Sequence, residues 1–91
     1  MMPETTTSCL KRLNRIEGQV RGVARMLEEK RYCIDIVHQV TSIKAALASV
    51  EEEILKDHVG HCVELAIASG DKAEQRRKVA ELVDTLGRMA R

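Results

Sequence analysis

The chain has 91 residues, a formal net charge of +1, no Trp, no Phe and one Tyr. We expect a chain of this length to hold a single domain over 1–91, which excludes a separate cofactor domain. A core without aromatic bulk must be built from Leu, Ile, Val, Ala and Met, which is typical of helix bundles, and because so small a core is weak we expect oligomerisation.

Charge is unevenly distributed along the chain. Residues 1–31 carry seven basic and four acidic side chains, 32–71 carry two and seven, and 72–91 carry six and three. This pattern indicates either a basic surface beside an acidic one or simply solvated helix faces.

The apolar stretches are too short for a signal peptide or a membrane span, and three cysteines without an export signal indicate reduced thiols. We therefore expect a cytoplasmic protein with no membrane partner.

The first predicted helix has apolar residues at spacings of three or four, from Leu10 to Leu27. Thr and Ser residues over 5–8 offer an N-cap, so residues 1–8 are predicted to be disordered and the helix to end near Lys30. Gly18 and Gly22 each cost a helix about 1 kcal/mol relative to Ala. We therefore expect another helix or a phosphate backbone to approach there.

The second predicted helix runs from about Cys33 to Ala68 without a proline. At 1.5 Å per residue it would be roughly 50 Å long, too long for a small globule unless a partner covers the overhang. Gly70 and Asp71 then supply a helix stop and the next N-cap, and a third helix carries apolar residues from Val79 to Met89. The sequence thus predicts an all-α fold with three helices.

Two side chains that can bind metal, His58 and Cys62, lie four residues apart on the second helix, where they project from one face. Cys33 precedes His58 by 25 residues on the same helix, about 37 Å away by helical rise, so it cannot reach the pair within one chain. A symmetric antiparallel partner helix brings Cys33 of one chain to His58 and Cys62 of the other, twice. The two-fold axis then falls within 45–48, where three alanines permit a close crossing.

Two thiolates and one imidazole form a soft three-coordinate set that suits Cu(I), whereas zinc would need a fourth ligand. His61 is the available fourth ligand, although it is rotated toward the flank and is more typical of a surface histidine. Cys9, at the start of the first helix, is interpreted as an incidental thiol. The acidic run over 51–53 is most simply a solvated face, and without a phosphate loop or a nucleophile in a pocket the sequence does not favour an enzyme.

The chain resembles the CsoR/RcnR family of bacterial repressors over nearly its whole length. The segments that carry the resemblance are RLNRIEGQVRGVARMLEEKRYCIDIVHQV at 12–40, KAAL at 44–47 and LKDHVGHCV at 55–63. The resemblance implies an antiparallel four-helix-bundle dimer, two dimers forming a homotetramer, and binding of operator DNA that an effector releases.

By this resemblance, Cys33, His58 and Cys62 match the Cu(I) ligands of the copper-sensing branch. Tyr32 and Glu81 match residues that couple the metal site to the DNA-binding surface. The alignment of Glu81 depends on the loop between the second and third helices, whose length varies in the family. The positions implicated in operator contact are Arg12, Arg15, Gln19 and Lys44. Lys44 is often Arg in relatives, and Lys keeps the charge without the bidentate fork.

Other effectors remain open. Nickel and cobalt sensing is disfavoured because the N-terminus lacks His and Cys62 is kept. Persulfide-sensing members of the family keep both cysteines but lack the histidine, so His58 argues against that effector, although Cys33 and Cys62 could still form an interchain sulfur bridge. Formaldehyde-sensing members use the Cys33 position with an N-terminal amine near a proline, which here is Pro3. Outside the family, the alternative is a copper-buffering protein that does not bind DNA, which the near-neutral charge allows.

Overall fold

The computed structural model describes residues 1–89, and these residues are helical apart from short connections. The elements are α1 (Pro3–Glu28), α2 (Cys33–Asp57), a π-helical segment (His58–Val63, here the π-turn), α3 (Glu64–Ser69) and α4 (Lys72–Met89). Because α2, the π-turn and α3 follow one another without a break, they form one rod over 33–69. Within 1–89 there is no strand, so the prediction of an all-α fold with three helical rods is confirmed.

The first helix starts earlier than the Thr and Ser cluster suggests. It begins at Pro3, whose fixed φ suits the first helical position and whose missing N–H leaves no donor unsatisfied. Thr6 and Thr7 lie inside the helix and donate their hydroxyls to carbonyls four residues back, over 3.3 and 3.0 Å. The helix therefore includes 3–8, which is most of the segment 1–8 for which the sequence predicts disorder.

The chain turns sharply at two places between the rods. Lys30 follows α1 with φ of 54°, and Gly70 follows α3 with φ of 73°. Asp71 then caps α4, because its Oδ1 accepts the backbone N–H groups of Ala73 and Glu74 at 3.0 and 3.2 Å. The glycine stop and the aspartate cap match the sequence prediction.

The core lies between α1 and α2, which pack antiparallel. Cys9 and Ile16 from α1 meet Ile43 and Val50 from α2, and all four are at most 9% exposed. Cys9 is thus a core residue at 4% exposure, and the prediction that places it at the start of the first helix is wrong. Because α1 continues to Pro3, Cys9 lies two turns inside the helix and packs on α2.

The chain forms a single layer of helices. Its principal extents are 58 × 28 × 13 Å, and the smallest is close to the diameter of one helix, about 10–12 Å. The radius of gyration is 17.8 Å, compared with about 12 Å for a compact chain of this length. Large apolar side chains therefore stay exposed on every rod, among them Leu13, Val20, Val37, Val40, Leu47, Ile54, Val79, Val83 and Leu86.

Over residues 1–89, none of the helices is both long enough and apolar enough to cross a bilayer.

Candidate metal centre and nucleic-acid interface

The π-turn contains both His58 and Cys62. Its sequence, HVGHCV, favours departure from the α-helix, because Val59 and Val63 are β-branched and Gly60 is a poor helix former. The sequence predicted an uninterrupted α-helix here, so the π-turn corrects that prediction. Short π-helical segments are frequent at functional sites.

His58 faces a cleft that α4 closes on one side. The cleft has a volume of about 480 Å³ and is lined by Glu51, Ile54, Leu55, His58, Glu81, Thr85 and Met89. The fold therefore brings Glu81 to the same cleft as His58, although the two are 23 residues apart. Glu81 also pairs with Lys78 at 3.6 Å.

Cys33 and Tyr32 lie at the opposite end of the rod. Cys33 is the first residue of α2 and is exposed, and Tyr32 precedes it with 66% of its surface exposed. All three cysteines are free thiols. Among residues 1–89 no three His, Cys, Asp or Glu side chains cluster as metal ligands, so a single chain does not bring Cys33 to His58 and Cys62.

One stripe of α2 connects the two ends and has a symmetric spacing. Its positions alternate in steps of four and three, as one helix face requires, and each of the positions before the π-turn is exposed. The residue numbers pair to a constant sum of 91, since 33 and 58, 37 and 54, 40 and 51, and 44 and 47 all add to it. The stripe comprises Cys33, Val37, Val40, Lys44, Leu47, Glu51, Ile54 and His58.

Three of the four predicted DNA-contact residues share one groove. Arg12, Arg15 and Gln19 line a groove of about 380 Å³ between α1 and α2, together with Ile16, Ala46 and Ser49. Lys44 is exposed on α2 and does not line this groove. The structure therefore groups the α1 residues and leaves Lys44 apart from them.

Arg12 is held by two residues of α2 that the sequence did not single out. Its Nη1 donates to Ser49 Oγ over 2.7 Å and lies 3.6 Å from Glu53 Oε2. Glu53 is half-buried, while Glu51 and Glu52 are exposed, so the acidic run is a solvated face only in part. Burial raises the pKa of the Cys9 thiol, and the negative charge of Glu53 and a hydrogen bond with it raise that pKa further.

Asp57, immediately before the π-turn, receives the N-terminus of α1. Its Oδ2 accepts the backbone N–H of Met2 over 2.9 Å. Burial would raise the pKa of Asp57, but this bond, a bond from Thr5 and the positive charges of the N-terminal amine and His61 together lower it. The sequence did not predict the roles of three α2 residues, Ser49, Glu53 and Asp57, because their partners on α1 are known only once the antiparallel pairing of the two helices is known. The one signal in the sequence was the excess of acidic residues in the second predicted helix beside a basic first helix.

Comparison with known proteins places these features in context. The family model described as "Metal-sensitive transcriptional repressor" matches residues 5–88. Among curated proteins, the copper-sensing transcriptional repressor RicR of Mycobacterium tuberculosis is 46% identical over 89% of this chain and 83% of its own length. The copper-sensing transcriptional repressor CsoR of Bacillus subtilis is 51% identical over 80% of this chain and 69% of its own length.

Solved structures with different effectors share the fold. The copper-sensing repressor CsoR with Cu(I) from Geobacillus thermodenitrificans superposes with a TM-score of 0.90 at 43% identity, covering 100% of this chain and 92% of that one. The nickel-responsive transcriptional regulator InrS gives a TM-score of 0.76 at 38% identity, covering 90% and 89% of the two chains. Because regulators of both metals share the fold, the fold alone does not identify the effector.

Proposed function

This chain belongs to the family of metal-sensitive transcriptional repressors, and from that premise we propose that it represses transcription by binding operator DNA and is released when Cu(I) binds between two chains. The observation that carries the proposal is the position of two thiols and one imidazole on one rod, with Cys33 at its start and His58 and Cys62 in the π-turn. The membership also makes the protein a regulator and not an enzyme.

The exposed stripe on α2 carries Cys33 at one end and His58 at the other, so antiparallel pairing of two chains along it would bring the ligands of both chains together. If two rods pair along it, the two-fold axis falls between residues 45 and 46, and Cys33 of one chain lies opposite His58 of the other. The same register places the exposed Val37 opposite Ile54 of the partner, so apolar surface is covered together with the ligands. A chain that forms one layer about 13 Å thick needs such a partner to bury its apolar surface.

The donor set fits Cu(I). Cys33 and Cys62 are free thiols, and the half-buried His58 supplies an imidazole, so the set contains two soft sulfur ligands and one nitrogen. Bound there, Cu(I) would link the two chains through ligands from each. His61, near Asp57 on the flank of the π-turn, is not required for this set.

DNA contact is assigned to the basic residues of α1 and to Lys44. Arg12, Arg15 and Gln19 share one groove, so they present two guanidinium groups and an amide to the phosphate backbone. Coupling of the metal site to the DNA-binding surface is assigned to Glu81, which lines the cleft with His58, and to Tyr32, which adjoins Cys33 in the sequence. Apolar residues of α4 such as Val79 and Val83 stay exposed, which supports assembly of dimers into a homotetramer. As a DNA-binding repressor the protein would act in the cytoplasm.

Anaerobic titration of the reduced protein on DNA tests the proposal. The DNA is a duplex obtained by in vitro selection on this protein, and the additions are Cu(I), Ni(II), Zn(II), persulfide and formaldehyde. We expect Cu(I) to release the DNA at lower concentration than the other additions. Release by persulfide or formaldehyde alone would identify a thiol-based sensor, and copper binding without any salt-dependent DNA binding would identify a copper-buffering protein.

A further inference from the structure

We propose that Ser49 is a positioning residue for DNA binding, which holds the guanidinium of Arg12 in the orientation that contacts a phosphate. This inference rests on the proposed function, because it concerns how the repressor contacts DNA. Ser49 lies on α2 and Arg12 on α1, so the residue that would contact DNA is oriented by a neighbouring helix.

The guanidinium of Arg12 is held along one edge. Its Nη1 donates to Ser49 Oγ over 2.7 Å and lies 3.6 Å from Glu53 Oε2. Ser49 and Glu53 are four residues apart on α2, so both face α1 from adjacent turns. Two neighbouring turns of one helix thereby hold the same nitrogen.

Burial of Glu53 explains why Arg12 stays at this position. The Oε2 atom of Glu53 is buried and has no hydrogen-bond partner among residues 1–89, so the charge of Arg12 at 3.6 Å compensates it. The Cys9 thiol also forms a hydrogen bond with the Glu53 side chain, but it brings no positive charge to the carboxylate. Arg12 is therefore bound to α2 before any DNA arrives.

The free edge of the guanidinium borders the basic groove. With Nη1 engaged by Ser49, the N–H groups on Nε and Nη2 remain available as the fork that arginine uses for phosphate. Arg15 and Gln19 line the same groove, whose volume is about 380 Å³. Holding a long side chain in place before binding removes part of the entropy cost of ordering it on the DNA.

Substitution of Ser49 separates positioning from general stabilisation. Ser49→Ala removes the acceptor without changing the charge, and we expect it to weaken binding of the selected duplex by about two- to tenfold, the range for ordering one flexible side chain. Ser49→Thr keeps the hydroxyl and should bind DNA like the wild type. In an Arg12→Ala background, Ser49→Ala should have no further effect, because the side chain it positions is gone.

The decisive measurements are DNA affinity across a salt series and the side-chain order of Arg12 from NMR relaxation at Nε without DNA. The proposal predicts an ordered Arg12 in the wild type and in Ser49→Thr, and a measurably less ordered one in Ser49→Ala, where only the ion pair with Glu53 remains. It is overturned if Ser49→Ala binds DNA as tightly as the wild type, or if its loss persists in the Arg12→Ala background. Wild-type protein that binds no DNA would instead overturn the proposed function, and this inference with it.

Discussion

The backbone N–H of Met2 donates a hydrogen bond to Oδ2 of Asp57 over 2.9 Å, which joins the start of α1 to the residue immediately before His58. A carboxylate of α2 thus accepts from the N-terminal end of α1, where backbone donors lack helical partners. The start of the basic helix is therefore bonded to the last residue of α2, which directly precedes the π-turn that carries two candidate ligands.

This contact predicts an acid-dependent loss of stability. The folded pKa of Asp57 is lowered, so its stabilising contribution is complete above the unfolded value of about 4 and is lost as pH falls through the folded value. Asp57→Asn should be less stable than the wild type near neutral pH, and the difference should narrow below about pH 4. Urea unfolding of the wild type and Asp57→Asn from neutral pH to below about pH 4 measures this difference in stability. Glu52→Gln is the control, because it removes an exposed carboxylate of the same helix. A difference that stays constant with pH would contradict the prediction.

Two glycines should respond to alanine in opposite directions. Gly70 has φ of 73°, where a Cβ is strained, so Gly70→Ala should destabilise the protein by about 1 kcal/mol. Gly22 lies inside α1 with nothing within 4 Å of an added Cβ, so Gly22→Ala should stabilise the helix by roughly 0.5–1 kcal/mol. Thermal unfolding measures the stability of both variants.

The sequence predicts another helix or a phosphate backbone near Gly22. If a DNA phosphate approaches there, Gly22→Ala should also weaken DNA binding while it raises stability.

A metal site shared between chains predicts complementation between defective subunits. When a Cys33→Ala chain is mixed with a His58→Ala, Cys62→Ala chain, each heterodimer should hold one complete and one empty site. Copper stoichiometry should therefore recover to half the wild-type value for each heterodimer. No recovery after verified subunit exchange would show that the site does not span two chains.

Phosphate contact through helix faces predicts changed salt dependence. Arg15→Ala and Lys44→Ala should each weaken DNA binding and reduce the slope of log affinity against log salt by about one, while copper affinity is unchanged. Fluorescence anisotropy across a salt series measures the slopes. Lys44 lies outside the groove that Arg15 lines and on the α2 stripe along which the two chains are proposed to pair. Normal DNA binding by Lys44→Ala alone would therefore remove that residue from the DNA interface.

Substitution of His58 distinguishes copper sensing from sulfur sensing. In a Cu(I) site the imidazole is one of three ligands, so His58→Ala should lower copper affinity by at least about tenfold and uncouple copper from DNA release. Persulfide chemistry requires only two thiolates, so a sulfur sensor would keep its response in His58→Ala and lose it in Cys33→Ala or Cys62→Ala. DNA release by the wild type and these variants under each inducer gives the answer. A wild type that ignores Cu(I) while His58→Ala responds to persulfide would disprove copper sensing and leave the family membership intact.

The sequence alone was sufficient to predict the helical architecture. Apolar spacings of three and four identify each rod, and local backbone chemistry explains the stop at Gly70 and the cap at Asp71, which need no distant partner. The separation of Cys33 from His58 is also a local property, because helical rise converts residue number into distance. The candidate ligand set and its placement on two chains could therefore be predicted before any packing was known.

Only the tertiary structure revealed contacts that depend on how α1 lies against α2. Cys9 is buried because it lies in the interface between these two helices. The hydrogen bond from Arg12 to Ser49 joins residues 37 positions apart, and the bond from Met2 to Asp57 joins residues 55 positions apart. The π-turn also escaped prediction, since helical periodicity assumes one repeat throughout and a π-helical segment changes that repeat locally. Periodicity shows which face of a helix is apolar, but the side chains that meet across two faces are decided by packing.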